Sequence, residues 1–215
     1  MRFTIVLAVF FVFALNSLAF SQQNPYHLTS AQPAQLPDIC RYTMDGPYRG
    51  AYIAGSSFGW LKNHHDPNFR IVYQYYLNIG PDLIHMHHYC RGLKRMNEAI
   101  TESTAEGMSS FKLRQALNEF GYVLRNSKPD FVLRPLVMME KARTFLYLND
   151  EQNFIKTLTD ILRINNRYIP AYVALADYYI SKGDKQNALQ MLNRAKQIAP
   201  DNKFLQEKIQ SIREK

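Results

Sequence analysis

The residues with the richest chemistry lie in one run, His85-Met86-His87-His88-Tyr89-Cys90, with His64-His65 upstream. On a helix, His85 and His88 fall three apart on one face, a workable spacing for two imidazoles to chelate an ion. His87 points elsewhere, toward Arg91. Zinc needs a third ligand, and each imidazole of such a site is usually backed by a carboxylate. His64 or Asp66 would supply the third ligand if the 60–66 loop folds back. The competing reading needs no ion: three histidines in a partly buried helix, hydrogen-bonded to the segment that covers them. That plainer reading is preferred, and the metal site of His85, His88 and His64 stands as the alternative.

Other chemistries find less support. No Cys-x-x-Cys-His occurs for a c-type haem, and His85-x-His87-His88 lacks the glutamate of a helical zinc-protease motif. Gly55-Ser56-Ser57 is turn material, not Gly-x-Ser-x-Gly. No glycine loop suited to cradling phosphate is present. The 18 acidic residues fall mainly on expected helix surfaces and turns. The expectation is therefore a non-enzymatic protein with no catalytic residue and no cofactor.

Compartment and charge narrow the partners. Arg2, the apolar stretch 3–15 and the small-x-small triplet Ala19-Phe20-Ser21 read as a cleaved secretory signal peptide over 1–21. The apolar stretch is short of the roughly 20 residues that span a bilayer, so a periplasmic or secreted protein is expected, not an integral membrane one. Export favours a disulfide between the two cysteines, Cys40 and Cys90, over two free thiols. The formal net charge of +8 attracts acidic proteins, anionic glycans or lipid headgroups. Its basic residues are scattered, and an exported protein rarely meets nucleic acid, so nucleic acid is not expected.

The elements that position these residues are helical. After a Pro-, Gly- and aromatic-rich segment over 22–66, Asp66-Pro67 caps a helix through Phe69, Val72, Tyr73, Tyr76 and Leu77 that stops at Gly80. Pro81 starts the next, with Leu83, Met86, Tyr89, Cys90, Leu93, Met96 and Ile100 as its apolar stripe. Residues 101–109 form a polar connection. Ser110 is read as the cap of a helix that stops at Ser127-Lys128-Pro129. Residues 131–148 and their return helix, with Phe154, Leu158, Ile161 and Leu162, turn at Asn149-Asp150. Residues 170–200 repeat the pattern around Gly183-Asp184 and end at Pro200. Setting Ala142 on Ala176 and Leu158 on Leu192 gives a shift of 34 residues in both helices.

Tyr172, Leu175-Ala176, Tyr179, Gly183-Asp184, Ala188, Leu192, Ala195 and Pro200 resemble one tetratricopeptide (TPR) repeat almost position for position. The resemblance implies an all-α fold: a short right-handed stack of helix hairpins at about 81–126, 131–165 and 169–198, within a helical domain 67–215. An amphipathic helix over 201–214 would cap the stack. The mature chain also resembles exported bacterial TPR proteins that carry a His-Met-His-His-Tyr-Cys helix. The family's groove positions imply Val173, Asp177 and Ile180 in the clear repeat, and Leu136, Met139, Arg143 and Leu146 in the degenerate one. In the most divergent repeat they imply Ile84, His87, Arg91 and Lys94. The implied function is an adaptor that holds a protein or peptide partner, an acidic one being the match for the net charge. An envelope protein that binds anionic glycan or lipid is the further alternative.

Overall fold

The computed structural model describes residues 39–40, 67–102 and 109–214. The signal peptide, the leader, the 41–66 segment with His64 and Asp66, and residues 103–108 lie outside the described residues. Among the described residues all regular structure is helical: α1 Pro67–Ile79, a 3-10 turn Pro81–His85, α2 Met86–Thr101, α3 Ser110–Asn126, α4 Arg134–Tyr147, α5 Glu151–Ile164, α6 Ile169–Ser181, α7 Lys185–Ile198 and α8 Lys203–Arg213. The helices fall into two compact units, Met1–Lys128 and Pro129–Lys215. The division comes at the Ser127-Lys128-Pro129 stop, inside the single domain expected over 67–215.

In the first unit, α2 and α3 form an antiparallel pair. Met86, Tyr89, Cys90, Met96 and Ala99 on α2 are buried, as are Leu113, Ala116, Phe120 and Val123 on α3. The two approach closely at Gly92: a Cβ there would lie 2.5 Å from Cε1 of Phe120. Cys40 and Cys90 are joined by a disulfide, with Sγ atoms 2.07 Å and Cα atoms 5.4 Å apart. Both ends are buried, together with Ile39. Three local expectations need correction. Gly80 adopts φ 84°, a left-handed conformation suited to glycine, and Pro81 then opens a 3-10 turn before the α-helix begins. Ser109, not Ser110, caps α3, its Oγ accepting the Lys112 N–H at 3.4 Å. On α1, Val72 is buried but Tyr73 and Leu77 are exposed.

The second unit repeats at the expected pitch. Asn149 at φ 58° and Gly183 at φ 75° occupy equivalent left-handed turn positions, 34 residues apart. Each is followed by an aspartate that caps the return helix. Asp150 Oδ1 accepts the Asn153 backbone N–H at 3.1 Å, and Asp184 Oδ1 accepts that of Asn187 at 3.0 Å. The same asparagines donate from their side chains to the second carboxylate oxygen. Ala142, Ala176, Leu158 and Leu192 are all fully buried, so the 34-residue register holds in the core as well as in the turns. Burial of each leucine side chain is worth about 1.5–3 kcal/mol. Helices α4 to α8 pack consecutively, and α8 covers α7 with Leu205, Ile209 and Ile212. Its cap is Asn202, whose Oδ1 accepts the Leu205 N–H at 3.2 Å.

Candidate functional site

The histidine run spans the junction between the 3-10 turn and α2. His85 ends the turn, while His87 and His88 occupy the first turn of the α-helix. The ring of His88 stacks on Tyr122 of α3 at a centroid distance of 3.6 Å, and His85 meets the same ring edge-on at 5.9 Å. His87, expected to point away, lies with its ring 4.2 Å from that of His88. Its Nδ1–H donates to the Ile84 carbonyl at 2.8 Å. Nδ1 of His88 meets Oε2 of Glu119 at 2.5 Å. Burial holds the His85 imidazole below its ordinary pKa, against the pull of Asp82.

The His88–Glu119 bond ties the first turn of α2 to α3, and the His87 bond ties it back to the 3-10 turn. They engage Nδ1 of both His87 and His88, and Cys90 is committed to its disulfide. Among the described residues, no three His, Cys, Asp or Glu side chains are placed to hold one metal ion. Glu119 is the residue that sequence reasoning missed. It stands 31 positions from His88 on another helix, and nothing in the local pattern marks it.

The groove positions differ from one another in exposure. In the first unit Ile84, His87 and Arg91 are half-buried and Lys94 is exposed. In the second unit Leu136, Met139, Arg143 and Leu146 on α4 are half-buried, as is Asp177 on α6. Ile180 is 40% exposed, whereas Val173 is only 4% exposed and belongs to the core. Helix α6 packs against both α5 and α7, which widens its buried stripe across Val173.

Two groove positions hold charges in fixed pairs. Arg143 places Nη1 3.4 Å from both carboxylate oxygens of Glu140, a residue only 6% exposed. That carboxylate raises the already high pKa of the guanidinium, as does the guanidinium's own hydrogen bond with Tyr147. A buried carboxylate without such a partner would be costly. Burial, and then the charge of Glu140, also raises the pKa of the Tyr168 phenol. Asp177 lies 2.5 Å from Nζ of Lys208, which α8 supplies. Burial nonetheless raises the Asp177 pKa, with Lys208 acting in the opposite direction. Lys208 was also missed, because its partner lies 31 residues earlier on a non-adjacent helix.

Comparison with known proteins adds one finding. The family model for the tetratricopeptide repeat matches residues 169–202, which is α6, α7 and the turn after them. No curated protein and no solved structure matches the chain. With the all-helical, consecutively packed architecture, the match makes the protein TPR-like, and TPR units are interaction modules. Among the described residues, no helix is long and apolar enough to cross a membrane.

Proposed function

We propose that the protein is an exported adaptor without catalytic activity, which holds a protein or peptide partner on the exposed side of the first helices of its hairpins. The observation that carries this reading is the tetratricopeptide match at 169–202. It falls on a hairpin whose first helix presents Ile180 to solvent beside the half-buried Asp177. Leu136, Met139, Arg143 and Leu146 are the corresponding positions of the preceding hairpin. Together they offer apolar anchors interrupted by a cation, a surface suited to an amphipathic or extended peptide with an acidic residue. The Cys40–Cys90 disulfide supports export, since such bonds persist in oxidising compartments.

The choice of test variants follows from the pairs described above. Arg143→Glu would set a second carboxylate against the buried Glu140 and confound folding with binding. Ile180 is exposed and Arg91 half-buried, and among the described residues neither Ile180→Asp nor Arg91→Glu breaks an ion pair. Partner capture from the exported fraction should fall with Ile180→Asp and Arg91→Glu combined, at unchanged thermal stability. Capture at the wild-type level by that variant would remove the assignment.

A further inference from the structure

A cleft of about 230 Å³ opens in the second unit, away from the positions just discussed. Asn166 and Arg167 of the α5–α6 turn line one side. Arg194, Gln197 and Ile198 of α7 line the other, and Tyr172 of α6 stands between. The turn is fixed by its own hydrogen bonds. Asn165 accepts the Arg167 N–H on Oδ1 at 3.0 Å and the Tyr168 N–H on its carbonyl at 3.1 Å. The Tyr172 hydroxyl donates to the Asn166 carbonyl at 3.1 Å, so both of those atoms are occupied.

The groups left over are all donors or can act as donors: two guanidinium ions and the side-chain amides of Asn166 and Gln197. Among the described residues, neither arginine makes an ion pair and no carboxylate lines the cleft. This differs from the nearby Arg163 and Lys156, both held by Asp160, and from Lys182, held by Glu151. Each guanidinium presents parallel N–H groups that match the oxygens of a carboxylate or phosphate, and it keeps its charge at any physiological pH. The C-terminal end of α7 lies beside the cleft and opposes an anion, but a half charge at a helix end is outweighed by two full ones. Ile198 and the Tyr172 ring give the cleft an apolar wall.

We propose that this cleft is a binding site for a compact oxyanion, a carboxylate or phosphate group held between Arg167 and Arg194 and oriented by Asn166 and Gln197. The proposal is independent of the partner surface on α4 and α6, and either can fail alone.

The test is an NMR titration of the full chain with inorganic phosphate and, separately, succinate, at constant ionic strength. Side-chain resonances of Arg167, Arg194, Asn166 and Gln197 should shift together and saturate with at least one probe. Arg167→Gln or Arg194→Gln should weaken that binding by at least about tenfold, whereas Arg163→Gln should leave it unchanged. Saturation by phosphate alone assigns a phosphate-bearing ligand, by succinate alone a carboxylate-bearing one, and by both the shared chemistry. Shifts that stay linear, that spread evenly over Lys196 and Lys203, or that survive Arg194→Gln would overturn the proposal. Both arginines are exposed, so their replacement leaves the core untouched.

Discussion

Replacing Gly92 by alanine tests the close approach of α2 to Phe120 in the first unit. In an open helix this substitution stabilises by about 0.5–1 kcal/mol, because glycine loses more backbone freedom on folding. Here the added Cβ would lie 2.5, 2.8 and 2.9 Å from three carbons of the Phe120 ring. Phe120 is fully buried, so its ring can move only by displacing neighbours. Overpacking of this kind costs about 1–3 kcal/mol. The two effects leave a net loss of about 1 kcal/mol, the difference between those ranges at their centres. Urea unfolding followed by circular dichroism, on the disulfide-intact chain, should show the midpoint fall with the slope unchanged. Phe120→Leu in the same chain should recover part of the loss, giving a coupling of at least about 0.5 kcal/mol in a double-mutant cycle. A Gly92→Ala chain more stable than the parent, with no coupling to position 120, would refute the close packing of α2 on α3.

Further predictions concern the disulfide, a buried acid and a cap. Reduction of Cys40–Cys90 frees a loop with a sequence separation of 50 and should lower unfolding free energy by about 4 kcal/mol; a loss under about 1 kcal/mol would contradict the constraint assigned to it. Asp177 has a folded pKa raised above 3.8, so the folded state binds its proton more tightly than the unfolded chain does. Its contribution to stability therefore falls as pH rises from the ordinary carboxylate value through the raised one. Asp177→Asn should lack that segment of the stability–pH curve, and its stability relative to the parent should rise across the same window. A flat or opposite difference, measured by urea unfolding at a series of pH values, would show that Lys208 dominates over burial. Asn202→Ala removes the α8 cap and should cost about 1 kcal/mol, read from the same transition.

Much of the second unit was legible because its signals are local and repeat. Gly183 marks a left-handed turn directly, and the 34-residue shift transfers that role to Asn149, which alone would have been ambiguous. The Asp-x-x-Asn pattern after each turn, Asp150 to Asn153 and Asp184 to Asn187, carries a mechanism that can be read without coordinates. The alanines and leucines of the repeat reached the core as the periodicity required. In the first unit the disulfide followed from the cysteine count and the expectation of a signal peptide. The 3-10 opening at Pro81–His85 did not, because an apolar stripe at three- and four-residue spacing fits either helix type for one turn.

The pairs that organise the candidate sites were the least visible. Glu119 with His88 and Lys208 with Asp177 are each 31 residues apart and join separate helices, so only helix packing brings them together. Glu119 and Tyr122 give the histidine run a structural explanation that asks for no ion, and Glu140 makes Arg143 part of a fixed pair. The burial of Val173 shows the same limit: a repeat template places it toward a groove, but the width of the buried stripe depends on how many neighbours its helix has.

The central claim is that the first helices of the hairpins meet a partner. Photo-activated cross-linking in the native host tests it most directly, with the photoreactive side chain placed in turn at Met139, Ile180 and Thr159. Thr159 lies exposed on α5, the return helix of its hairpin. The account predicts one discrete adduct of the same mass from positions 139 and 180, and none from 159. Adducts from 159 equal to those from 139 and 180, or no adduct from either first-helix position, would contradict it.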